Sequence, residues 1–197
     1  MPRENHTVTR EDIMDPEIYA QQRKELRGRV TELKKNRRLH VGPDATAYFE
    51  NFDTIVHQIH EMLHIEKGGE EQIDDELSAY ATLMPNGSEL VATLMFEIDD
   101  PKRREKFLAG LGGVEETVSI EFSGEKIMAV AEADIDRTTA EGKASSIQFL
   151  HFPLNPEQAK KFKQSGTEAV LSIGHEKYAH MAKLPEAVRD ALAGDLA

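Results

Sequence analysis

Turn signals divide this chain too finely for a parallel α/β sheet. Gly42-Pro43-Asp44, Pro85-Asn86-Gly87 and Ser123-Gly124 each interrupt segments of strand character. Breaks of two or three residues join antiparallel neighbours, whereas parallel strands need a crossover of roughly a dozen residues or more. Helix starts stand between them. In Asp15-Pro16-Glu17, Asp100-Pro101 and Asn155-Pro156 an Asp or Asn is placed to cap, and the Pro takes the first helical position, where its missing N–H is no loss. No βαβ alternation is sustained. The pattern predicts an α+β fold with a mostly antiparallel sheet and helices packed on it. A single domain is expected over residues 9–197, behind a flexible tail of residues 1–8.

The expected elements follow from these marks. Helices are predicted over Pro16–Leu33, from Asn51 or Asp53 to Lys67, and over Glu70–Leu83, with Gly68-Gly69 stopping the second. Further helices start at Asp100-Pro101, Asn155-Pro156 and Leu184-Pro185. Strands are predicted over Arg38–Val41, Ala45–Glu50, Glu89–Ile98, Thr117–Phe122, Lys126–Ala131, Ser145–Phe152 and Ala169–Ile173. Asp134–Lys143 reads as a loop, and so does the segment from Gly174 to His180.

Composition removes several chemistries. Without cysteine there is no disulfide, thiolate metal site, cysteine-ligated iron–sulfur cluster or cysteine nucleophile. No apolar run reaches the length of a membrane span, and the polar start MPRENHTVTREDIMDPE lacks a signal peptide's apolar stretch. A cytoplasmic protein is therefore expected. The net charge of −12, from 36 acidic and 24 basic residues, argues against nucleic acid as a partner.

The predicted second helix holds the densest chemistry. His57-Gln58-Ile59-His60-Glu61-Met62-Leu63-His64 contains His60-Glu61-x-x-His64, the spacing of zinc metallopeptidases. Residues four apart share a helix face, so two imidazoles can grip one Zn²⁺ while the Glu activates bound water. His57 lies on the same side, making His57, His60 and His64 the candidate metal ligands and Glu61 the candidate base. The extended form of the motif is absent: Lys67 stands in place of its Gly and Glu70 in place of its last His. A third ligand would come from Glu76, Glu89 or Glu97. The competing reading is structural: Phe52, Ile55, Val56, Ile59 and Leu63 form an apolar stripe, and the histidines flank it on a solvated or partner-facing side.

A second candidate is the run Arg23–Arg38, which carries eight basic residues against Glu25 and Glu32. Arg27, Lys34, Arg37 and Arg38 are the candidate residues for a small anionic ligand or an acidic partner. Pairing with the protein's own acidic surface, including Glu70, Glu71, Asp74, Asp75 and Glu76, is the plainer alternative. Beyond the predicted strand ending at Ile173, His175 and Tyr178 are either acid–base groups or packed polar residues. Gly110-Leu111-Gly112-Gly113 follows a helix and reads as a helix stop, not a phosphate loop.

Several marks in a fixed order resemble a bacterial family of proteins of unknown function. They are Tyr19, Arg23–Arg27, Lys34-Lys35-x-Arg37-Arg38, Phe49-Glu50, Gln58-x-x-Glu61-Met62, Glu76-Leu77-x-x-Tyr80, Leu83-x-Pro85, Ala92-Thr93, Ser145-x-x-Gln148-Phe149 and His175-x-x-Tyr178. Members are of this length, and their genes often stand beside those for rubrerythrin-like proteins and iron–sulfur oxidoreductases. The resemblance implies a supporting role in redox or oxidative-stress chemistry. It also implies that Gln58, Glu61 and Glu66 matter without histidine being required at 60 or 64, so the zinc-like spacing is a local variant.

The leading expectation is a non-catalytic accessory or binding protein that works with a protein partner or as a homo-oligomer. A zinc-dependent hydrolase on His60, Glu61 and His64 is the alternative, and an anion-binding protein on the basic run is the third.

Overall fold

The computed structural model describes residues 6–132 and 143–197. The expected Asp134–Lys143 loop therefore lies, apart from Lys143, outside the described residues. In chain order the elements are α1 (Pro16–Lys34), β1 (Arg38–Val41), β2 (Ala45–Phe49), α2 (Phe52–Glu66), α3 (Glu70–Ala81), β3 (Glu89–Phe96), α4 (Pro101–Leu108), β4 (Val118–Phe122), β5 (Glu125–Met128), β6 (Val130–Ala131), β7 (Ile147–Pro153), α5 (Pro156–Lys163), β8 (Ala169–His175), β9 (Tyr178–Lys183) and α6 (Glu186–Ala193).

The helix starts form as their sequences dictate. Asp15 accepts from the N–H groups of Glu17 and Ile18, Asp100 from Arg103 and Asn155 from Gln158. Asn51 and Thr54 cap each other's backbone at the head of α2. That helix ends on Lys67, a non-glycine residue in the left-handed region at φ 56°, one position before the expected glycine stop.

Every strand pairing is antiparallel, but the strands form two sheets. One has the order β1-β2-β3-β7-β6 and the other β5-β4-β8-β9. The expected Lys126–Ala131 strand is split between them: β5 pairs with β4, and β6 crosses to pair with β7. Alternate residues of β3 face opposite ways, as a period of two requires. Leu90, Ala92, Leu94 and Phe96 join a core shared with Val118, Ile120, Phe122, Leu171 and Ile173 of the second sheet. Val91 joins a smaller core on the outer face with Ile55, Ile59 and Leu63 of α2 and Ile73 of α3. So α2 and α3 cover the outer face of the first sheet, and the second sheet covers the inner one.

The strand β9 was not expected. Only Tyr178 of its six residues is buried, and its remaining YAHMAK sequence has the polar, low-β character of an edge. Residues 6–8 lie against the body of the protein: His6 Nδ1 is 3.1 Å from the Pro85 carbonyl and Val8 packs on the smaller core. Among the described residues no helix is long and apolar enough to cross a membrane.

Candidate functional site

Helix α1 runs beside α2 with little of itself buried. Of its nineteen residues only Tyr19 is fully inside, and neither hydrophobic core includes an α1 side chain. The helix is held by a polar arrangement on the histidine face of α2. Tyr19 stacks on His60, ring centroids 4.7 Å apart and planes 8° from parallel, and meets His64 edge-on at 6.0 Å. Its hydroxyl donates to Glu61 Oε1 at 2.6 Å and lies 3.4 Å from His57 Nδ1. Arg23, one helical turn on, forks both Glu61 oxygens at 2.8 Å through Nε and Nη2.

These contacts set the electrostatics. The Arg23 hydrogen bonds, reinforced by Tyr19, hold the Glu61 carboxyl at about 2. Burial, followed by the bond to Glu61, raises the Tyr19 hydroxyl. Burial lowers both His57 and His60 from 6.5. At His57 the nearby Lys34, Arg27 and Arg23 charges lower it further, against Glu61. His60 Nε2 accepts from the backbone N–H of Met14 at 2.8 Å, and the ring also bonds the Val56 backbone. That pairing assigns the neutral tautomer with its proton on Nδ1.

The geometry does not suit the zinc-peptidase expectation. The Nε2 lone pair of His60 is occupied by Met14, and Glu61 is bound on both oxygens and too acidic to take a proton from metal-bound water. Among the described residues no three His, Asp or Glu side chains are gathered so as to hold a metal ion. A sequence spacing places side chains on one face but leaves open what packs against them; here α1 does.

The basic run is divided by the fold. Arg27 and Lys34 stay on α1 near His57. Arg37 turns inward, bonded through both Nη atoms to Asp195 at 2.7 Å, with both residues buried. Arg38 sits on β1 opposite Tyr48. Pairing with the protein's own carboxylates is met in part, by Glu61 for Arg23, Glu32 for Lys35 and Asp195 for Arg37, but among the described residues no ion pair joins the acidic run of α3 to the basic run, and Glu70 pairs with Arg10.

The remaining candidates serve the framework. Gln58 donates to Glu50, a buried carboxylate that also accepts from Thr54 and Thr93. Glu66 accepts from Gln72. His175 Nδ1 accepts from the Lys177 N–H in the β8–β9 turn. The Tyr178 hydroxyl donates to the Val41 carbonyl and accepts from the N–H groups of Asp44 and Ala45, closing the β1–β2 turn. Of the three regions singled out in the sequence, the α2 face and the α1 part of the basic run meet, while Tyr178 is engaged at the β1–β2 turn. Tyr19 and Arg23 are the central residues that were not singled out as a site: the signal for Tyr19 was its place in the resemblance, and Arg23 stood in the resemblance and at the start of the basic run without being chosen from it.

Two hollows border this seam. One of about 440 Å³ runs between α1 and α2, lined by Tyr19, Leu26, Val30, Leu33, Val56 and His57 among others. The other, about 480 Å³ and more open, is lined by Ala20, Arg23, Lys24, Arg27 and His64.

Comparison with known proteins agrees with the resemblance read from the sequence. No curated protein matches the chain. A crystal structure of a novel protein of unknown function from Burkholderia pseudomallei is similar to it, with 37% identity and a TM-score of 0.90 over 97% of this chain and 100% of that one. Residues 7–196 match the family described as protein of unknown function (DUF3501). The α1–α2 seam thus lies wholly within the matched segment, and the chain belongs to this DUF3501 family.

Proposed function

We propose that the chain is a non-catalytic accessory protein that binds a protein partner, and that the partner belongs to a redox or oxidative-stress system. One observation carries the first half. The groups best suited to acid–base or metal chemistry, Glu61 and His60, are engaged in fastening α1, through Arg23 and Tyr19, and the segment just ahead of it, through Met14, to α2. What this fastening leaves outward is recognition surface: a basic helix whose Leu26, Val30 and Leu33 are half-buried along a groove. The redox setting is supported by the gene neighbourhood that the family resemblance implies.

The reading is tested by isolating the tagged protein from its source organism after cross-linking, identifying what is joined to it, and rebuilding the complex from purified components. A complex of fixed stoichiometry with a redox protein is expected. Turnover of a substrate by the purified chain alone, or failure of the purified components to associate, overturns it.

A further inference from the structure

The notch on the outer side of the α1–α2 seam has cationic walls with little to balance them. Arg27 stands three positions beyond Lys24 and four beyond Arg23 on α1, spacings at which side chains are neighbours, about 5–6 Å apart at Cβ. Ala20 completes the row, and its small side chain leaves the floor open. His64 faces them from α2. No carboxylate is among the residues lining the notch; Glu61, behind Arg23, is bound on both oxygens by Arg23 and again by Tyr19, so it is matched to Arg23 and leaves Lys24 and Arg27 uncompensated. Among the described residues the side chains of Lys24, Arg27 and His64 make no hydrogen bond or ion pair; the one side-chain bond to Arg27 is from the Thr31 hydroxyl to its backbone carbonyl. Elsewhere in the molecule carboxylates meet comparable cations, as with Arg103 and Asp44 or Lys161 and Glu125. A positive hollow on a chain of net charge −12 is a local exception that the surface as a whole does not favour.

We infer that this notch is a binding site for a small dianionic oxyanion, a phosphate group or a dicarboxylate, held by Lys24, Arg27 and His64. The guanidinium of Arg27 presents a planar fork to two oxygens, and Lys24 supplies a point charge beside it. His64 supplies a ring N–H from the opposite wall. Arg23 holds the wall in place through Glu61. The site is independent of a docked protein partner, and it differs from the candidate set read in the sequence: Arg37 is buried against Asp195 and Arg38 stands on β1.

The test titrates the full chain with inorganic phosphate and, separately, with malonate, at constant ionic strength maintained with sodium chloride. Binding is followed by calorimetry and by the imidazole resonances of His64. A saturable response is expected with at least one of the two anions, weakened about tenfold or more in Lys24→Gln/Arg27→Gln and unchanged in Arg38→Gln. A response to phosphate alone assigns the ligand class as phosphate-bearing; a response to malonate alone assigns it as carboxylate-bearing. No saturable response to either anion, an equal response to chloride, or equal affinity in the double variant overturns the inference.

Discussion

Tyr19 lies flat against His60 while its hydroxyl reaches the next residue, Glu61. One α1 side chain thus covers a neutral imidazole and caps a carboxylate at the same time. Since Tyr19 is the one fully buried residue of its helix, the docking of α1 rests on this contact more than on a hydrophobic seam. Tyr19→Phe keeps the stacked ring and removes one hydrogen bond to a charged group, at an expected cost of about 1.5–3 kcal/mol. Tyr19→Ala removes the ring as well and is expected to cost about 3–5 kcal/mol. Hydrogen exchange measures where the loss falls. Protection is expected to drop across α1, with the central strands β3 and β7 retained, because neither core contains an α1 side chain.

The same seam is expected to loosen on acidification in two stages. His57 and His60 have folded values below 6.5, so their contribution is complete above 6.5 and is lost as pH falls through their folded values. Glu61 is held at about 2 against 4.5, so its contribution is complete above 4.5 and is lost as pH falls toward 2. His151 responds in the opposite sense. Its hydrogen bond to Glu89, with Glu132 on the far side of the ring, raises it above 6.5, so that stabilisation is present below 6.5 and is lost as pH rises through the folded value. Exchange measured from pH 7 to pH 4, corrected for the intrinsic rate, is therefore expected to show α1 losing protection on acidification while the β3–β7 pairing around His151 gains it. Parallel behaviour of the two regions counts against the assignment.

Much of this architecture was legible in the sequence, and the parts that were not have a common cause. Helix starts and hairpin turns are local: Asp15-Pro16 and Ser123-Gly124 act on their own neighbours, so α1 and the β4–β5 hairpin form where expected. The split into two sheets is not local, since β6 leaves β5 for β7 one residue past the end of β5. The zinc-like spacing was a true statement about one face of α2, but the meaning of that face is set by Tyr19 and Arg23, 42 and 38 positions distant from Glu61. Likewise the basic run looked continuous, and Asp195 removed Arg37 from it across 158 positions. The resemblance was most informative about the framework. Glu50, Gln58 and Thr93, scattered among its marks, form one buried hydrogen-bonded group, which Thr54 completes.

Tyr178 is expected to act on stability through the β1–β2 turn. Its hydroxyl serves two N–H groups and one carbonyl of that turn. Tyr178→Phe leaves these buried backbone groups without their partner and is expected to cost about 2–3 kcal/mol in urea unfolding. Gly42, with φ at 76°, lies directly beneath; a Cβ there would stand 2.6 Å from His180 Cγ and 2.7 Å from the Tyr178 hydroxyl. Gly42→Ala is expected to cost about 1–3 kcal/mol from backbone strain together with displacement of that hydroxyl. Because both act on one turn, the losses in the double variant are expected to fall short of their sum. Strict additivity rejects the shared mechanism.

Arg37 and Asp195 join the start of β1 to the chain just beyond α6 with a two-pronged, buried ion pair. Burial raises the Asp195 carboxyl, against the lowering effect of Arg37, so the carboxylate depends on its partner to remain charged. Removing one member strands the other. Asp195→Leu alone leaves a guanidinium that stays protonated inside the protein, and a loss of about 3–5 kcal/mol is expected. Replacing both members by apolar residues removes the charges together, and Arg37→Met/Asp195→Leu is expected to recover most of that loss. Equilibrium unfolding of the two single variants and the double variant closes the cycle. A double variant as unstable as the sum of the singles would mean that the pair holds the chain end by more than charge compensation, through shape at the Ala191 carbonyl that Arg37 also approaches at 3.4 Å.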